Sequence, residues 1–251
     1  MIKKIDSLDN KIIKYTLKLK KNKYQKEEKK YIIETFHLLN MSLNDLEYVF
    51  TLEKLELPEN ITQYIVNQKI LEKLSSNKSF SKVIGVVRIN EKNIDYSKDI
   101  VYLDNIQDPG NVGTILRTSL AFSYFNVALS TDTASIYNYK TIQSAQGALF
   151  NLNIEHFDLD KLKELKKEGY KILVTTLSND SIFINEFKRN NNEKLIIVLG
   201  NEGNGVRKEI IDISDYKIKI DISNIDSLNV GVASGIILYS LKDWTYIYDE
   251  L

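Results

Sequence analysis

The 251-residue sequence contains no cysteine. Disulfides, thiolate metal sites and cysteine nucleophiles are therefore excluded. Histidine occurs twice, as His37 and His156, far apart in the chain. No metal site is expected from so few ligands, and a Ser-His-Asp triad has few candidate bases. Proline is nearly absent. No apolar run approaches transmembrane length, and no apolar segment of the signal-peptide kind follows Met1. The expectation is a cytoplasmic protein without a membrane partner.

What is present is ordinary for a globular chain, with 43% hydrophobic and 27% charged residues. The length admits one large domain or two modest ones. Net charge is zero but unevenly spread: residues 1–30 hold eleven lysines against four acidic residues. Such a segment suits either an anionic partner or a solvated lysine-rich helix, and charge alone does not choose between them.

The hydrophobic pattern predicts an amphipathic helix over 5–20, a strand at 31–33, helices over 38–43 and 60–74, and a strand over 82–88. A polar stretch, 90–99, marks the boundary between domains 1–95 and 96–251. Beyond it, strands at 100–103, 126–130, 171–175 and 194–199 alternate with helices at about 112–122, 161–168 and 235–241. That alternation predicts an α/β domain with a largely parallel sheet.

Three segments could carry chemistry. In Asp104-Asn-Ile-Gln-Asp-Pro-Gly-Asn-Val-Gly-Thr-Ile-Leu-Arg-Thr118, a strand leads to a helix. Asn111 is the expected N-cap, leaving first-turn N–H groups free for an anion. Arg117, beside the apolar stripe, reads as a partly buried phosphate ligand or a structural ion pair. In Ile196-Ile-Val-Leu-Gly-Asn-Glu-Gly-Asn-Gly-Val206, a strand runs into a glycine-rich loop, where open α/β sheets bind ligands. Its spacing is neither a dinucleotide fingerprint nor a P-loop. Glu202 would repel a triphosphate, so a cationic or nucleoside ligand fits better than a nucleotide; a plain tight turn is the alternative. In the third segment, 218–235, Ser227 and Asn229 fall where a helix begins, and either cap it or line a pocket.

Together the three segments resemble the SpoU/TrmH family of RNA 2′-O-methyltransferases, within the SPOUT superfamily. The motif residues are Asn111, Gly113, Arg117 and Thr118; the G-N-E-G loop Gly200 to Gly203; and Ser-Leu-Asn-Val at Ser227 to Val230, followed by Ala233 to Gly235. Three motifs in order are far more specific than one. Residues 7–39 resemble, more weakly, the opening of an L30e-like RNA-binding domain. There Thr35 stands where glycine is usual; in the catalytic half Gln143 stands where arginine is common, and Asp221 replaces the usual proline of the third motif.

The resemblance implies a C-terminal SPOUT domain with a mostly parallel sheet and a trefoil knot, preceded by a smaller α/β L30e-like domain, and it implies a homodimer. Its cofactor is S-adenosylmethionine, framed by Leu199, Gly200, Asn201, Gly203, Ile220, Leu228, Asn229 and Val230. Arg117 would meet the target ribose and its phosphate. Asn111, Ser227 and Asn229 would orient them, and Glu202 would order the site, near Arg117. The expected partner is RNA, with 23S rRNA ahead of tRNA. Two rivals are a non-catalytic RNA-binding or ribosome-assembly protein on this fold, and a nucleotide enzyme that uses no RNA.

Overall fold

Runs of β-branched residues and leucine between polar segments become strands, and the polar segments supply the helix caps. The computed structural model describes residues 1–77, 81–190 and 192–242, so the end of the predicted domain 96–251 lies outside the described residues. In chain order the elements are β1 (Ile2–Ile5), α1 (Lys11–Lys18), α2 (Asn22–Glu28), β2 (Lys30–Glu34), α3 (Phe36–Met41), β3 (Leu46–Thr51), β4 (Thr62–Val66), α4 (Gln68–Leu74) and β5 (Val83–Arg88). There follow β6 (Ile100–Asp104), α5 (Pro109–Ala121), β7 (Asn126–Leu129), α6 (Tyr139–Ala145), β8 (Asn153–His156), α7 (Leu159–Lys167) and β9 (Tyr170–Thr175). The last are β10 (Ile182–Phe183), β11 (Lys194–Gly200), α8 (Lys208–Asp212), β12 (Tyr216–Lys219) and α9 (Val230–Leu241).

The chain divides into two compact units, one of residues 1–91 and 135–150, the other of 92–134 and 151–251. The first unit carries a mixed five-stranded sheet in the order β1-β4-β3-β5-β2. Strand alternation sends Ile32 to one face, with Ile13 of α1 and Leu71 of α4. Tyr31 and Ile33 go to the other face, with Leu38 and Leu39 of α3 and Ile142 of α6. Residues 135–150 thus join the first unit because α6 buries its apolar side there.

Two predicted helices here are shorter than the pattern suggested. Residues 2–5 form a strand parallel to β4, and α1 starts only after Asn10, whose Oδ1 accepts from the Ile12 amide at 2.9 Å. Residues 62–66 are a strand as well, and α4 starts at an Asn67 cap that accepts from the Ile70 amide at 3.1 Å. In both places an asparagine cap cuts a mixed apolar run into strand and helix. At Thr35 the backbone takes φ 96°, which explains why glycine suits that position. The threonine is held there as the N-cap of α3, its Oγ1 accepting from the Leu38 amide at 3.3 Å. Gln143, on α6, is half-buried and donates to Asn77.

The second unit carries a seven-stranded sheet in the order β10-β12-β9-β11-β6-β7-β8, and every pair in it is parallel. β11 lies near the middle, between β9 and β6, and its Leu195 to Val198 have no exposed surface. Each such side chain contributes about 1.5–3 kcal/mol relative to exposure. β12, the last strand in sequence, lies between β10 and β9. α5 packs on α9, where Gly231 permits close approach: a Cβ there would stand 3.0 Å from Thr114 Cγ2. Among the described residues no helix is long and apolar enough to cross a membrane.

The loop after β11 is tied back to β6 by one ion pair. Asp104, fully buried at the end of β6, accepts from the Arg207 backbone N–H at 2.8 Å and from its Nε at 2.6 Å. The Arg207 guanidinium also donates to the Tyr102 hydroxyl at 3.3 Å. Removing one partner strands a buried carboxylate, which is far costlier than losing a surface pair. Arg207→Ala is expected to lower unfolding stability by about 2–4 kcal/mol in urea titrations. A loss below about 0.5 kcal/mol, the scale of a surface pair, would contradict this role.

Candidate active site

The sequence Asp108-Pro109 starts α5 earlier than the apolar pattern suggested. Proline suits the first helical position, with its fixed φ and missing donor. Asp108 is therefore the N-cap, its Oδ1 accepting from the Asn111 amide at 3.0 Å. Asn111 is not the cap but a residue of the first turn. The amides just before the helix also face an anion. Glu202, from the loop after β11, accepts from the Gln107 amide at 3.2 Å and the Asp108 amide at 3.2 Å. The anion drawn to the positive end of α5 is the chain's own carboxylate.

Asn111 joins the three motif segments. Its Nδ2 donates to Glu202 Oε1 at 2.9 Å, and its Oδ1 accepts from Asn229 Nδ2 at 2.9 Å. Asn229 is itself the N-cap of α9, its Oδ1 accepting from the Gly231 amide at 2.9 Å and the Val232 amide at 3.3 Å. Of the two readings of Asn229, helix cap and pocket lining, the structure shows the cap. The polarity of this relay is fixed, because Oδ1 of Asn229 is used by the helix and only its amide N–H remains for Asn111.

The glycine-rich loop closes on itself. Asn201 and Gly205 exchange backbone hydrogen bonds of 3.0 and 2.9 Å. Asn201 Oδ1 accepts from the Gly203 amide at 2.9 Å, and its Nδ2 donates to the Asn105 carbonyl at 2.8 Å. Gly200 cannot carry a side chain here, since a Cβ would stand 2.3 Å from the Val206 nitrogen and 2.4 Å from the Gly205 carbonyl carbon.

Beyond the carboxyl ends of β9, β11 and β12 lies a cavity of about 320 Å³, the size of sites that enclose drug-sized ligands. Leu199, Gly200, Asn201, Gly203, Ile220, Leu228 and Val230 line it, with Ser227 and Glu202. Asn229 does not line it and donates to Asn111 instead. Sequence reasoning missed Thr175 to Leu177, Ile218, Asp226 and Ile237, which also line it. The signal for Thr175 to Leu177 was their place just after a strand of a parallel sheet. Asp221 is exposed, between the lining residues Ile220 and Ile222.

Arg117 stands apart. It is exposed on α5, not partly buried, because the helical period puts Val112, Ile115 and Leu116 on the buried face and Arg117 beyond its edge. It does not line the cavity, and it bonds neither Glu202 nor any other described residue. A guanidinium without a partner is available to an anion from outside the chain. Among the described residues no cluster of three or more His, Asp or Glu could hold a metal.

Burial raises the pKa of Glu202, but the hydrogen bonds from Asn111 and from the Gln107 and Asp108 amides outweigh it, and the net shift is downward from 4.5. A depressed folded-state pKa gives stability that is complete above the unfolded value and lost as pH falls through the folded one. Urea midpoints of the wild type and Glu202→Gln are expected to differ at neutral pH and to converge as pH falls below 4.5. A gap that persists in strong acid would contradict this role of the carboxylate.

Residues 98–239 match the SpoU rRNA methylase family. The chain is 27% identical over 250 residues to the Bacillus subtilis 23S rRNA (guanosine(2553)-2'-O)-methyltransferase RlmP, covering 96% of this chain and 100% of the relative. It is 30% identical to the Aquifex aeolicus tRNA (guanosine(18)-2'-O)-methyltransferase, covering 69% of this chain and 80% of that one. Its fold matches the crystal structure of an rRNA methyltransferase from Sinorhizobium meliloti with a TM-score of 0.83 at 21% identity, covering 95% of this chain and 96% of the other.

Proposed function

The chain belongs to the SpoU rRNA methylase family, and from that premise we propose that it methylates a ribose 2′-hydroxyl of 23S rRNA with S-adenosylmethionine as donor. The observation that carries this reading is the Asn229–Asn111–Glu202 relay, which joins the rim of an apolar cavity to the helix bearing an unpaired Arg117. The cavity fits the donor: apolar walls from Leu199, Ile218, Ile220 and Leu228 suit an adenosine, and acidic Glu202 and Asp226 suit a cation. The donor supplies a methyl group already activated on a sulfonium. The protein therefore has mainly to align the acceptor and handle one proton.

In this reading Arg117 binds the phosphate beside the target ribose and stabilises the oxygen as its proton leaves toward that phosphate. An arginine does not serve as the base at neutral pH, because its intrinsic pKa is above about 12. Asn111, Ser227 and Asn229 hold the ribose by hydrogen bonds. The reading includes a homodimer. Val232, Ile236 and Tyr239 of α9 and Phe125 are exposed apolar residues, and a second copy covering that face accounts for an Arg117 that lies outside its own chain's cavity. The insertion of β12 between β10 and β9 supports the knotted path of the superfamily.

Residues 1–95 form the RNA-binding part in this account, and 96–251 the methyltransferase part. The lysines of residues 1–30 give the first part the charge to meet a folded rRNA element. The protein works in the cytoplasm, with its RNA. The relative that acts on tRNA supports tRNA as the second reading of the substrate.

The test is transfer of labelled methyl from S-adenosylmethionine to unmodified total RNA resolved by size, with Arg117→Ala alongside. Label in the large rRNA band, reduced at least about a hundredfold in a variant that still binds the donor, is the expected result. Label in the tRNA band would reverse the substrate choice. Loss of donor binding in a folded Arg117→Ala variant would overturn the division of roles.

A further inference from the structure

Methyl transfer changes the charge of the donor. The S–CH3 bond breaks and the O–CH3 bond forms, the electron pair of the broken bond stays on sulfur, and the hydroxyl proton leaves to phosphate or solvent. The sulfonium becomes a neutral thioether. The donor S-adenosylmethionine and the product S-adenosylhomocysteine otherwise share every ionised group. A fixed charge beside the sulfur therefore acts on one and not on the other, whereas charges beside the shared amino-acid end act on both.

Among the described residues, three charged side chains line the cavity, namely Glu202, Lys219 and Asp226. Glu202 alone of these is bonded to Asn111, at 2.9 Å. If Asn111 orients the acceptor ribose, Glu202 sits where the cavity meets the acceptor, which is where the transferable methyl and its sulfur must lie. The carboxylate is also immobilised: two backbone amides and the Asn111 amide hold it in place. The Lys219 ammonium lies 4.8 Å from the Phe183 ring centroid, and no described residue forms an ion pair with Glu202 to cancel its charge.

Resting on the functional reading above, we propose that Glu202 is a specificity-determining residue that selects the cationic donor over the neutral product, and so favours reloading of the cavity after each transfer. The attraction acts on the ground state of the donor, so it serves loading and product exchange and not the chemical step. Its size is limited, because Glu202 is exposed to solvent and water screens the charge.

Calorimetric binding to the full-length protein tests this without turnover, using three ligands: the donor, the product, and sinefungin, which carries an ammonium group in place of the sulfonium. Glu202→Gln is expected to weaken the donor and sinefungin by about three- to tenfold and the product by less than about twofold. The donor's loss is expected to shrink in high salt. Asp226→Asn removes the same charge elsewhere in the cavity and is expected to move donor and product together. Equal weakening of all three ligands by Glu202→Gln would reduce Glu202 to a scaffold of the loop and overturn the proposal. Selective weakening by Asp226→Asn instead would assign the discrimination to the wrong residue and overturn it as well. A wild-type protein that binds neither donor nor product would overturn the functional reading on which the proposal rests.

Discussion

One side-chain amide holds the site together. Asn111 donates to Glu202 across 91 residues of sequence and accepts from Asn229 across 118. Each neighbour is committed elsewhere: Glu202 to the amides before α5, Asn229 to the first turn of α9. An amide with one donor side and one acceptor side used is oriented without ambiguity. An aspartate could not donate to Glu202, and a hydrophobic residue would neither donate to Glu202 nor accept from the Asn229 amide. Fixing Asn111 thereby fixes two helix starts and one loop relative to each other.

The rest of the second unit holds that amide's neighbours at the right distance. Parallel pairing of β11 with β6 brings Gly200 level with Asp104, so both motif loops leave the sheet side by side. The buried Asp104–Arg207 pair and the Asn201 bond to the Asn105 carbonyl then tie the loops together on either side of Glu202. The apolar strands give the sheet its stability. The polar contacts, few and each satisfied, decide where the loops point. Arg117 is left out of all of them.

β6, β7, β9 and β11 were legible because buried parallel strands are continuous apolar runs, and β11 is the plainest of them; β8 and β10, short and not fully buried, carry no such run. The small mixed sheet was less so. Residues 2–5 and 62–66 lie in stretches whose apolar residues also fit a helix, and only the asparagine caps at Asn10 and Asn67 separate the two patterns. The lining from the second and third motifs was readable through the family motifs. Asp226, Ile237 and Thr175 to Leu177 lie outside those motif positions: only topology brings the end of β9 to the cavity, and nothing in the local pattern marks Asp226 or Ile237. Arg117 was placed too deep because its apolar neighbours Ile115 and Leu116 were read as a sign of burial; at about 100° per residue it falls off the face that Val112, Ile115 and Leu116 bury.

The most direct test of the account is a double-mutant cycle between Glu202→Ala and Asn229→Ala, read as single-turnover methyl transfer to the RNA substrate. These residues touch only through Asn111. If that amide is the common element, the double variant should be about as slow as the slower single variant, because either change releases it. Rate losses that simply multiply would show Glu202 and Asn229 acting independently, and would contradict the claim that Asn111 joins the three segments into one site.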